Sequence, residues 1–406
     1  MMNTNKKTPK LRFKGFTDDW EQRKLDDIAK IKTGGGTPKT ANPEYWSGNI
    51  PWIQSSDLVE GDIAHVNINK FINNNALKNS AAKLISRDSI ALVTRVGVGK
   101  VAVINQDFTT SQDFLSLSDF DRSDIKFLAY QLYRLMQENA KVLQGTSIKG
   151  ITKTELIEQS ISIPSSGQEQ HLISNVLSKI DSIITLYQRK LEKLKLNKSA
   201  LLQKLFPQNG CTIPEVRFKG FTDAWEQRKF SDLYEKISEK NDLSYSLDKI
   251  ISVANMYYKS DAKVSNEEYL RTYNIFRYGE IAFEGNKSKE FTYGRFVENT
   301  IGDGIISHVF EVFRPITKYD IYFWKYYINY EPIMGKVLSR CTKKTTMMTN
   351  LVAKDFLKET VFVPSLAEQK QIGILLNTFD KFITLHQLKL DRLMSIKKGL
   401  LQQLFV

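Results

Sequence analysis

The 406 residues contain few side chains with the types and spacing that catalysis requires. Asn42-Pro-Glu-Tyr45 resembles the Asn-Pro-Pro-Tyr motif that holds the target amine in enzymes that methylate base nitrogens, but Glu44 replaces the second proline, and no strand with a Gly-x-Gly turn for S-adenosylmethionine precedes it. Gly97-Val-Gly-Lys100 lacks the spacing and the Ser or Thr of a phosphate-binding loop. We therefore expect no catalytic residues in this chain, and we interpret Gly34-Gly-Gly36-Thr37-Pro38 as a glycine and proline loop.

The cysteines and histidines do not have the spacing of a metal site or a catalytic triad. Cys211 and Cys341 are 130 residues apart without a Cys-x-x-Cys partner, and the four histidines are scattered. No apolar run reaches 18 residues and the first thirty residues carry no signal-peptide core, so we expect a cytoplasmic protein without a membrane partner. The length predicts two or three domains, and a content of 41% hydrophobic and 25% charged residues predicts a globular chain.

The formal net charge of +13 indicates a polyanionic partner, and nucleic acid is the first candidate. The surplus of Lys and Arg lies mostly in the N-terminal arm and in two helix-like stretches, 169–206 and 368–405, whereas the long segments between them are nearly balanced. A DNA-reading surface on those segments must therefore be a local patch. The alternative is that each basic helix face is simply solvated.

Candidate DNA contacts are Lys, Arg, Ser and Gln side chains in predicted loops, where glycines allow the backbone to approach a duplex. Some of them occur at equivalent places in the two halves of the chain, although each alone is more often a solvated loop residue. The candidates are Arg95, Lys100, Ser111, Gln112, Lys149, Lys287, Lys289, Arg295, Arg340, Lys343 and Lys344.

The chain contains an internal repeat with a period of about 200 residues. Residues 9–25 return at 214–230 with 13 of 17 positions identical, and residues 169–206 return at 368–405 with 18 of 38 identical. Each half therefore consists of an arm, a globular segment and a long helix. This period is too long for a solenoid, so the sequence predicts a tandem pair.

Both long segments carry apolar residues at alternating spacings of four and three, the repeat that makes two helices supercoil with their seams together. The first seam is Ile173, Leu177, Ile180, Ile184, Tyr187, Leu191, Leu194, Lys198, Leu201 and Leu205. The second seam is Ile372, Leu376, Phe379, Ile383, His386, Leu390, Leu393, Lys397, Leu400 and Leu404. We predict an intramolecular coiled coil; the alternative is two separate amphipathic helices, each packed on its own domain.

A lysine occupies the same seam position in both helices, at Lys198 and Lys397. A single polar seam residue can fix register and partner at a cost in stability. The other interpretation is that both lysines extend to solvent at a frayed helix end.

The segments between arm and helix have the pattern of mixed α/β domains. The apolar stretches 90–94 and 101–104 flank a glycine turn, and 280–283 and 294–297 flank a counterpart in the second half, which predicts a hairpin in each. Residues 111–117 and 307–313 also correspond, and each stretch precedes an apolar helix pattern, at 125–142 and 321–337.

The predicted fold class is α/β (α+β): two mixed α/β domains, separated by two long helices that form an antiparallel intramolecular coiled coil, in a pseudo-twofold tandem repeat. The predicted boundaries are an N-terminal arm at 1–25, a first domain at 26–162, a central helix at 163–206, a linker with the repeated arm at 207–230, a second domain at 231–362 and a distal helix at 363–406.

Over nearly its whole length the chain resembles the specificity subunit of Type I restriction-modification systems. The resemblance rests on the alternation of two globular segments with repeated helices, on Gly36-Thr37-Pro38 followed by Tyr45-Trp46, and on two Glu-Gln-x-x-Ile sequences that each follow an Ile-Pro or Val-Pro, at 169–173 and 368–372. The second half lacks the Gly-Thr-Pro loop.

The resemblance implies a subunit without catalytic activity whose two target-recognition domains each read one half of a split DNA target, while the coiled coil sets the gap. It implies assembly with two modification subunits that carry S-adenosylmethionine and two restriction subunits that use ATP and Mg, so no cofactor or metal is expected on this chain. The alternatives are a self-contained methyltransferase or nuclease, and a structural coiled-coil adaptor that does not read bases.

Overall fold

The computed structural model describes residues 8–121, 123–144, 150–208, 210–259, 266–344 and 348–406. The chain divides into two compact units: unit 1 is Met1–Gln188 with Leu388–Val406, and unit 2 is Arg189–Gln387. Each long helix therefore begins in one unit and ends in the other. In the described part of the chain, every helix is too short or too polar to cross a membrane.

Unit 1 contains strands β1 to β9 and helices α1 to α4, together with parts of the two long helices. The strands are β1 (Glu21–Lys24), β2 (Ala29–Gly34), β3 (Ile50–Ile53), β4 (Phe71–Ile72), β5 (Ser89–Val93), β6 (Val101–Ile104), β7 (Thr109–Thr110), β8 (Phe114–Phe120) and β9 (Ser160–Ile163). The helices are α1 (Leu25–Ile28), α2 (Asn74–Asn79), α3 (Ile125–Gln144), α4 (Lys153–Ile157) and α5 (Gly167–Leu205), the last of which continues into unit 2.

Unit 2 contains strands β10 to β21 and helices α6 to α8, together with parts of the two long helices. Its strands are β10 (Glu226–Lys229), β11 (Tyr234–Ile237), β12 (Ile251–Ser252), β13 (Tyr257–Tyr258), β14 (Asn274–Phe276), β15 (Ile281–Glu284), β16 (Arg295–Glu298), β17 (Gly304–Ile306), β18 (Glu311–Pro315), β19 (Thr342–Lys344), β20 (Thr349–Leu351) and β21 (Thr360–Val363). Its helices are α6 (Ile321–Tyr327), α7 (Glu331–Cys341), α8 (Ala353–Phe356) and α9 (Leu366–Gln403), the last of which continues into unit 1.

Each unit is built on a four-stranded antiparallel sheet with the same strand order. The order is β2-β8-β5-β6 in unit 1 and β11-β18-β15-β16 in unit 2. Strand β5 is buried on both faces: Ile90 and Leu92 enter the core beneath α3, whereas Ala91 and Val93 enter a smaller core on the other side. Alternation with a period of two residues therefore builds two cores from one apolar strand.

The predicted hairpins are confirmed. Leu92 lies opposite Val101 where β5 pairs with β6, and Glu284 lies opposite Arg295 where β15 pairs with β16. The predicted helix at 321–337 is wrong in one respect, because the chain forms α6 and α7 with a break at 328–330. Pro332 explains the break, since it has no N–H to donate to the carbonyl of Ile328 and its ring would clash with that carbonyl, whereas proline is tolerated in the first turn of a new helix.

The repeated arms form the same contacts in both units. Strand β1 pairs antiparallel with β9, and β10 with β21. Trp20 packs edge-on against Phe127 with ring centroids 5.7 Å apart, and Trp225 packs edge-on against Phe323 at 5.9 Å. The arm therefore belongs to the core of each unit.

Within each unit a segment of α5 lies antiparallel to a segment of α9. In unit 1, Ile173 and Leu177 share a core with Leu401 and Leu404, and Asp181 pairs with Lys397. In unit 2, Leu205 shares a core with Ile372 and Leu376, and Lys198 pairs with Asp380. All twenty predicted seam residues are buried or half-buried, as expected for paired helices, and a coiled coil along the whole length of α5 and α9 stays a prediction.

Candidate nucleic-acid interface

The candidate residues of unit 1 lie around the loop after β5. Arg95 is exposed at the start of that loop, and it lines a cavity of about 510 Å³ together with Gln112, Lys153 and Gly150. The chain beyond α3 returns to this loop, because the Ile151 amide donates to the Thr94 carbonyl at 2.8 Å. Arg95 and Gln112, which are distant in the sequence of the domain, are therefore brought to one surface.

The glycine loop after β2 supports the same surface. Gly36 N–H donates to Thr110 O at 2.9 Å, and a Cβ on Gly35 would lie 1.9 Å from Ser111 O, so only glycine permits this approach. Thr37 Oγ1 donates to Gln112 Oε1 at 2.5 Å and so orients the exposed amide of Gln112. A Gln amide that is held in this way can donate and accept hydrogen bonds at the edge of a base.

Two candidates in unit 1 have side chains that are already engaged within the protein. Ser111 is 4% exposed and its hydroxyl donates to Asp113 Oδ2 at 3.3 Å, so this side chain is engaged within the protein, and its contact with DNA stays a prediction. Lys100 is half-buried and donates to Ser55 O at 2.9 Å, which anchors the loop that carries Arg95. Lys149 lies outside the described residues.

In unit 2 two candidate segments that are far apart in sequence meet. The Thr349 amide donates to the Gly285 carbonyl at 2.8 Å, in the place that the Ile151–Thr94 bond occupies in unit 1, and the Thr349 hydroxyl donates to Tyr293 O at 2.9 Å. The loop between β15 and β16 is thereby packed against the β19–β20 hairpin.

These two segments present most of the basic candidates of unit 2. Lys287 and Lys289 are exposed on the loop between β15 and β16, and Lys343 and Lys344 are exposed on β19. The Lys344 ammonium lies 5.8 Å from the centroid of the Tyr293 ring, so an aromatic side chain lies among the lysines of this surface. The result is a local basic patch of the kind predicted from the charge balance of the segment.

The two arginine candidates of unit 2 are engaged in ion pairs. Arg295 Nε donates to Glu284 Oε2 at 2.8 Å and Arg295 Nη2 to Ala254 O at 2.7 Å, while Glu284 is only 6% exposed. Arg340 donates from Nε to Glu359 Oε2 at 2.9 Å, and this hydrogen bond raises the pKa of Arg340 although burial opposes it. Because Arg295 pairs with a buried carboxylate, it supports the loop, and its direct contact with DNA stays a prediction.

Three residues of these surfaces were not among the predicted DNA contacts: Thr37, Lys153 and Tyr293. The triple glycine before Thr37 was a usable signal, because it marks a close backbone approach. Neither Lys153 nor Tyr293 carries a local signal, since each depends on contacts between separate segments. Among the described residues, no group of three or more His, Cys, Asp or Glu side chains could hold a metal ion.

Comparisons with known proteins agree with this architecture. The family described as "Type I restriction modification DNA specificity domain" matches residues 17–196 and 222–394. The Type I restriction enzyme MjaIX specificity subunit of Methanocaldococcus jannaschii is 30% identical over 235 residues, which are 55% of this chain and 53% of that protein. The Type I restriction enzyme EcoR124I/EcoR124II specificity subunit of Escherichia coli is 28% identical over 180 residues, which are 43% of each chain. The chain thus spans about half the length of these curated relatives or less.

A crystal structure of a Type I restriction-modification system S subunit from M. genitalium has the same fold. It superimposes with a TM-score of 0.63 at 17% sequence identity and covers 98% of this chain and 99% of that one.

Proposed function

Because this chain belongs to the family of Type I restriction-modification DNA specificity domains, we propose that it is the DNA-reading subunit of such a system and recognises a split target, one half-site by each unit. We further propose that the chain carries no catalytic residues. In this proposal two modification subunits supply S-adenosylmethionine chemistry, and two restriction subunits supply ATP- and Mg-dependent cleavage.

One observation carries the proposal of a split target: the two units present different side chains on the same scaffold. The sheet order is identical, and equivalent backbone hydrogen bonds close both loop surfaces, at Ile151–Thr94 and Thr349–Gly285. Unit 1 presents Arg95 and Gln112 there, whereas unit 2 presents lysines beside Tyr293. Since base readout depends on the donors and acceptors presented, different loops on one scaffold suit two different half-sites.

The basic patches and the arms contribute affinity through phosphate contacts, which position the protein without reading sequence. The paired helices determine the number of base pairs between the half-sites, since each long helix belongs to both units. In this proposal the loops determine the sequence that is read and the helices determine the gap.

The test is the motif of methylated bases in DNA from cells that carry the whole system. We expect two short sequences separated by a fixed unread gap. Replacement of residues 26–162 by the corresponding domain of another specificity subunit should change one half-site and leave the other unchanged. An undivided motif, or a replacement that changes both half-sites, would contradict the proposal.

A second experiment separates reading from catalysis. The purified chain alone should neither bind S-adenosylmethionine nor modify DNA, whereas a self-contained methyltransferase or nuclease would do one or both. A purely structural adaptor would instead give an assembled complex without a split footprint on DNA.

A further inference from the structure

A buried polar cluster in unit 1 joins both long helices to the recognition domain. Asp181 on α5 accepts a hydrogen bond from the Tyr130 hydroxyl of α3 at 2.6 Å and forms an ion pair with Lys397 of α9. Lys397 also donates to the carbonyl of Gly61, in a loop of the domain, and lies 5.6 Å from the centroid of the Tyr130 ring. Asp181, Lys397 and Tyr130 are 5%, 7% and 1% exposed, so each is paired within the protein.

Unit 2 contains the equivalent cluster. Asp380 of α9 accepts hydrogen bonds from the Tyr326 hydroxyl of α6 and from Lys198 of α5, both at 2.5 Å, and the Lys198 ammonium lies 4.8 Å from the centroid of the Tyr326 ring. Lys325 adds a second cation, 3.2 Å from Asp380 Oδ2. Asp181 and Asp380 occupy the same position of the helix repeat, as do Lys198 and Lys397. The internal repeat therefore contains two copies of the same Tyr–Asp–Lys cluster.

The partners in each cluster come from different copies of the repeat. The Asp and the Tyr belong to the same half of the sequence, whereas the Lys comes from the helix of the other half. Each cluster thus connects three elements: the helix of its own half, the helix of the other half and the first helix after the sheet. An Asp–Lys pair alone could fix the register of the two long helices, so the tyrosine is needed only to connect the domain to them.

Apolar contacts alone would not determine this arrangement uniquely. The aromatic contact one turn away on α3, where Phe127 stacks on Phe405 with ring centroids 5.3 Å apart, buries area but is not directional. A heptad repeat also permits the helices to shift by seven residues, but in unit 1 such a shift would leave the buried Asp181 and Lys397 unpaired, which is strongly destabilising. Buried ion pairs contribute little net stability compared with apolar residues, so specificity is the better account of their presence.

We propose that these two clusters, Tyr130–Asp181–Lys397 and Tyr326–Asp380–Lys198, are positioning sites that hold each recognition domain in one orientation on the paired helices and thereby enforce the gap between the half-sites. This inference rests on the proposed function. It adds to helix length a second determinant of spacing, namely the angle and register at which each domain is attached.

The test uses the complex assembled with its modification subunits and three DNA substrates, which carry the native gap and gaps one base pair shorter and longer. The first variant combines Asp181→Leu, Lys397→Met and Tyr130→Phe, so that the whole cluster becomes apolar and no charge is left unpaired. We expect binding to the native substrate to change less than threefold, whereas preference for the native gap over the altered gaps falls at least tenfold. The matched variant in unit 2, with Asp380→Leu, Lys198→Met and Tyr326→Phe, should behave in the same way.

Two further variants make the outcome decisive. Tyr130→Phe alone keeps the ion pair and the Lys397–Gly61 hydrogen bond and removes only the hydrogen bond from Tyr130 to Asp181, so it should fold and lose part of the gap preference even if the triple variant fails to fold. The control pairs Lys24→Met with Glu158→Gln and removes an exposed ion pair of unit 1, with side chains 53% and 59% exposed; the gap preference should stay as in the wild type.

If the wild-type complex prefers one gap and the folded variants keep that preference in full, the positioning role is wrong and the proposed function stands. A wild-type complex without any gap preference would overturn both.

Discussion

Arg12 of the N-terminal arm donates from Nε and Nη2 to the two carboxylate oxygens of Glu169 in the first turn of α5, at 2.7 and 3.0 Å. Glu169 is 1% exposed, and the pKa of Arg12 is raised by this hydrogen bond although burial opposes it. Arg217 and Glu368 form the same two-point contact in unit 2, at 2.7 and 2.8 Å. Each arm is therefore attached to the start of its own long helix by a two-point ion pair in which the carboxylate is buried.

Arg12→Ala should lower the free energy of unfolding of unit 1 by about 3–5 kcal/mol, because it leaves the buried carboxylate of Glu169 without its partner. Arg12→Lys should destabilise unit 1 less than Arg12→Ala does, but it should remain less stable than the wild type, since an ammonium does not reproduce the two-point contact of a guanidinium. Urea unfolding followed by circular dichroism measures both. Lys24→Ala, which removes an exposed ion pair, should cost much less than Arg12→Ala, because water and salt screen an exposed pair. Equal losses for Arg12→Ala and Lys24→Ala would contradict the structural role of the arm.

Phe405→Ala should destabilise unit 1, although the residue lies near the C-terminal end of the sequence. Phe405 is 2% exposed and its ring centroid lies 5.3 Å from that of Phe127 and 6.2 Å from that of Trp20. Loss of a buried Phe side chain costs about 3–5 kcal/mol. Hydrogen exchange should show faster exchange in β5 and α3, with β15 and α6 unchanged. The matched variant Phe206→Ala should give the opposite distribution, because Phe206 packs against Phe323 and Tyr327.

Glu298→Met should remove a pH-dependent loss of stability from unit 2. Glu298 is 3% exposed, and among the described residues neither carboxylate oxygen has a hydrogen-bond partner. Burial, with a further contribution from Asp320, raises its pKa well above the usual range. The folded state therefore keeps the proton while the unfolded state ionises near pH 4.3, roughly the ordinary value for Glu. Stability is highest below that pH and falls as the pH rises toward the pKa of the folded state.

Urea midpoints measured from pH 4 to pH 8 test this prediction. The stabilisation by Glu298→Met should be larger at pH 8 than at pH 4, because over this range the unfolded wild type loses a proton that the folded state keeps. Glu235→Met is the control, because Glu235 is exposed on β11. If wild type and Glu298→Met lose stability with pH at the same rate, Glu298 is not the titrating group.

Arg95→Ala and Arg295→Ala should have different effects, although each arginine lies in the hairpin of its own unit. Arg95→Ala should leave the free energy of unfolding unchanged and weaken binding of the assembled complex to DNA by about 1–3 kcal/mol. If Arg95 contacts a base, selectivity at one position of the target should relax. If it contacts a phosphate, affinity should fall uniformly across sequences and the loss should depend on salt. Arg295→Ala should mainly destabilise unit 2, because Glu284 is 6% exposed and loses its partner. Fluorescence anisotropy with labelled DNA, beside urea unfolding of the same variants, distinguishes the two results. Unchanged stability of Arg295→Ala would contradict the supporting role of Arg295.

Much of the architecture follows from local sequence patterns. The repeat, the two apolar seams and the hairpins at 90–104 and 281–297 are predictable because helix and strand periodicities are properties of short stretches of chain. The break between α6 and α7 was also encoded locally, by Pro332, but the apolar pattern that continues past it concealed the signal.

Tertiary structure decided which side chains remain available and which segments meet. Arg95 and Arg295 look alike in sequence, yet Arg295 is engaged because strand pairing places Glu284 opposite it, and Ser111 is buried because the glycine loop packs on its backbone. Lys198 and Lys397 could have extended to solvent; each is instead paired because antiparallel packing places an Asp of the other helix beside it. These contacts join separate elements of the chain, and for the two Asp–Lys pairs the partners lie on different long helices, so no local pattern carries that information.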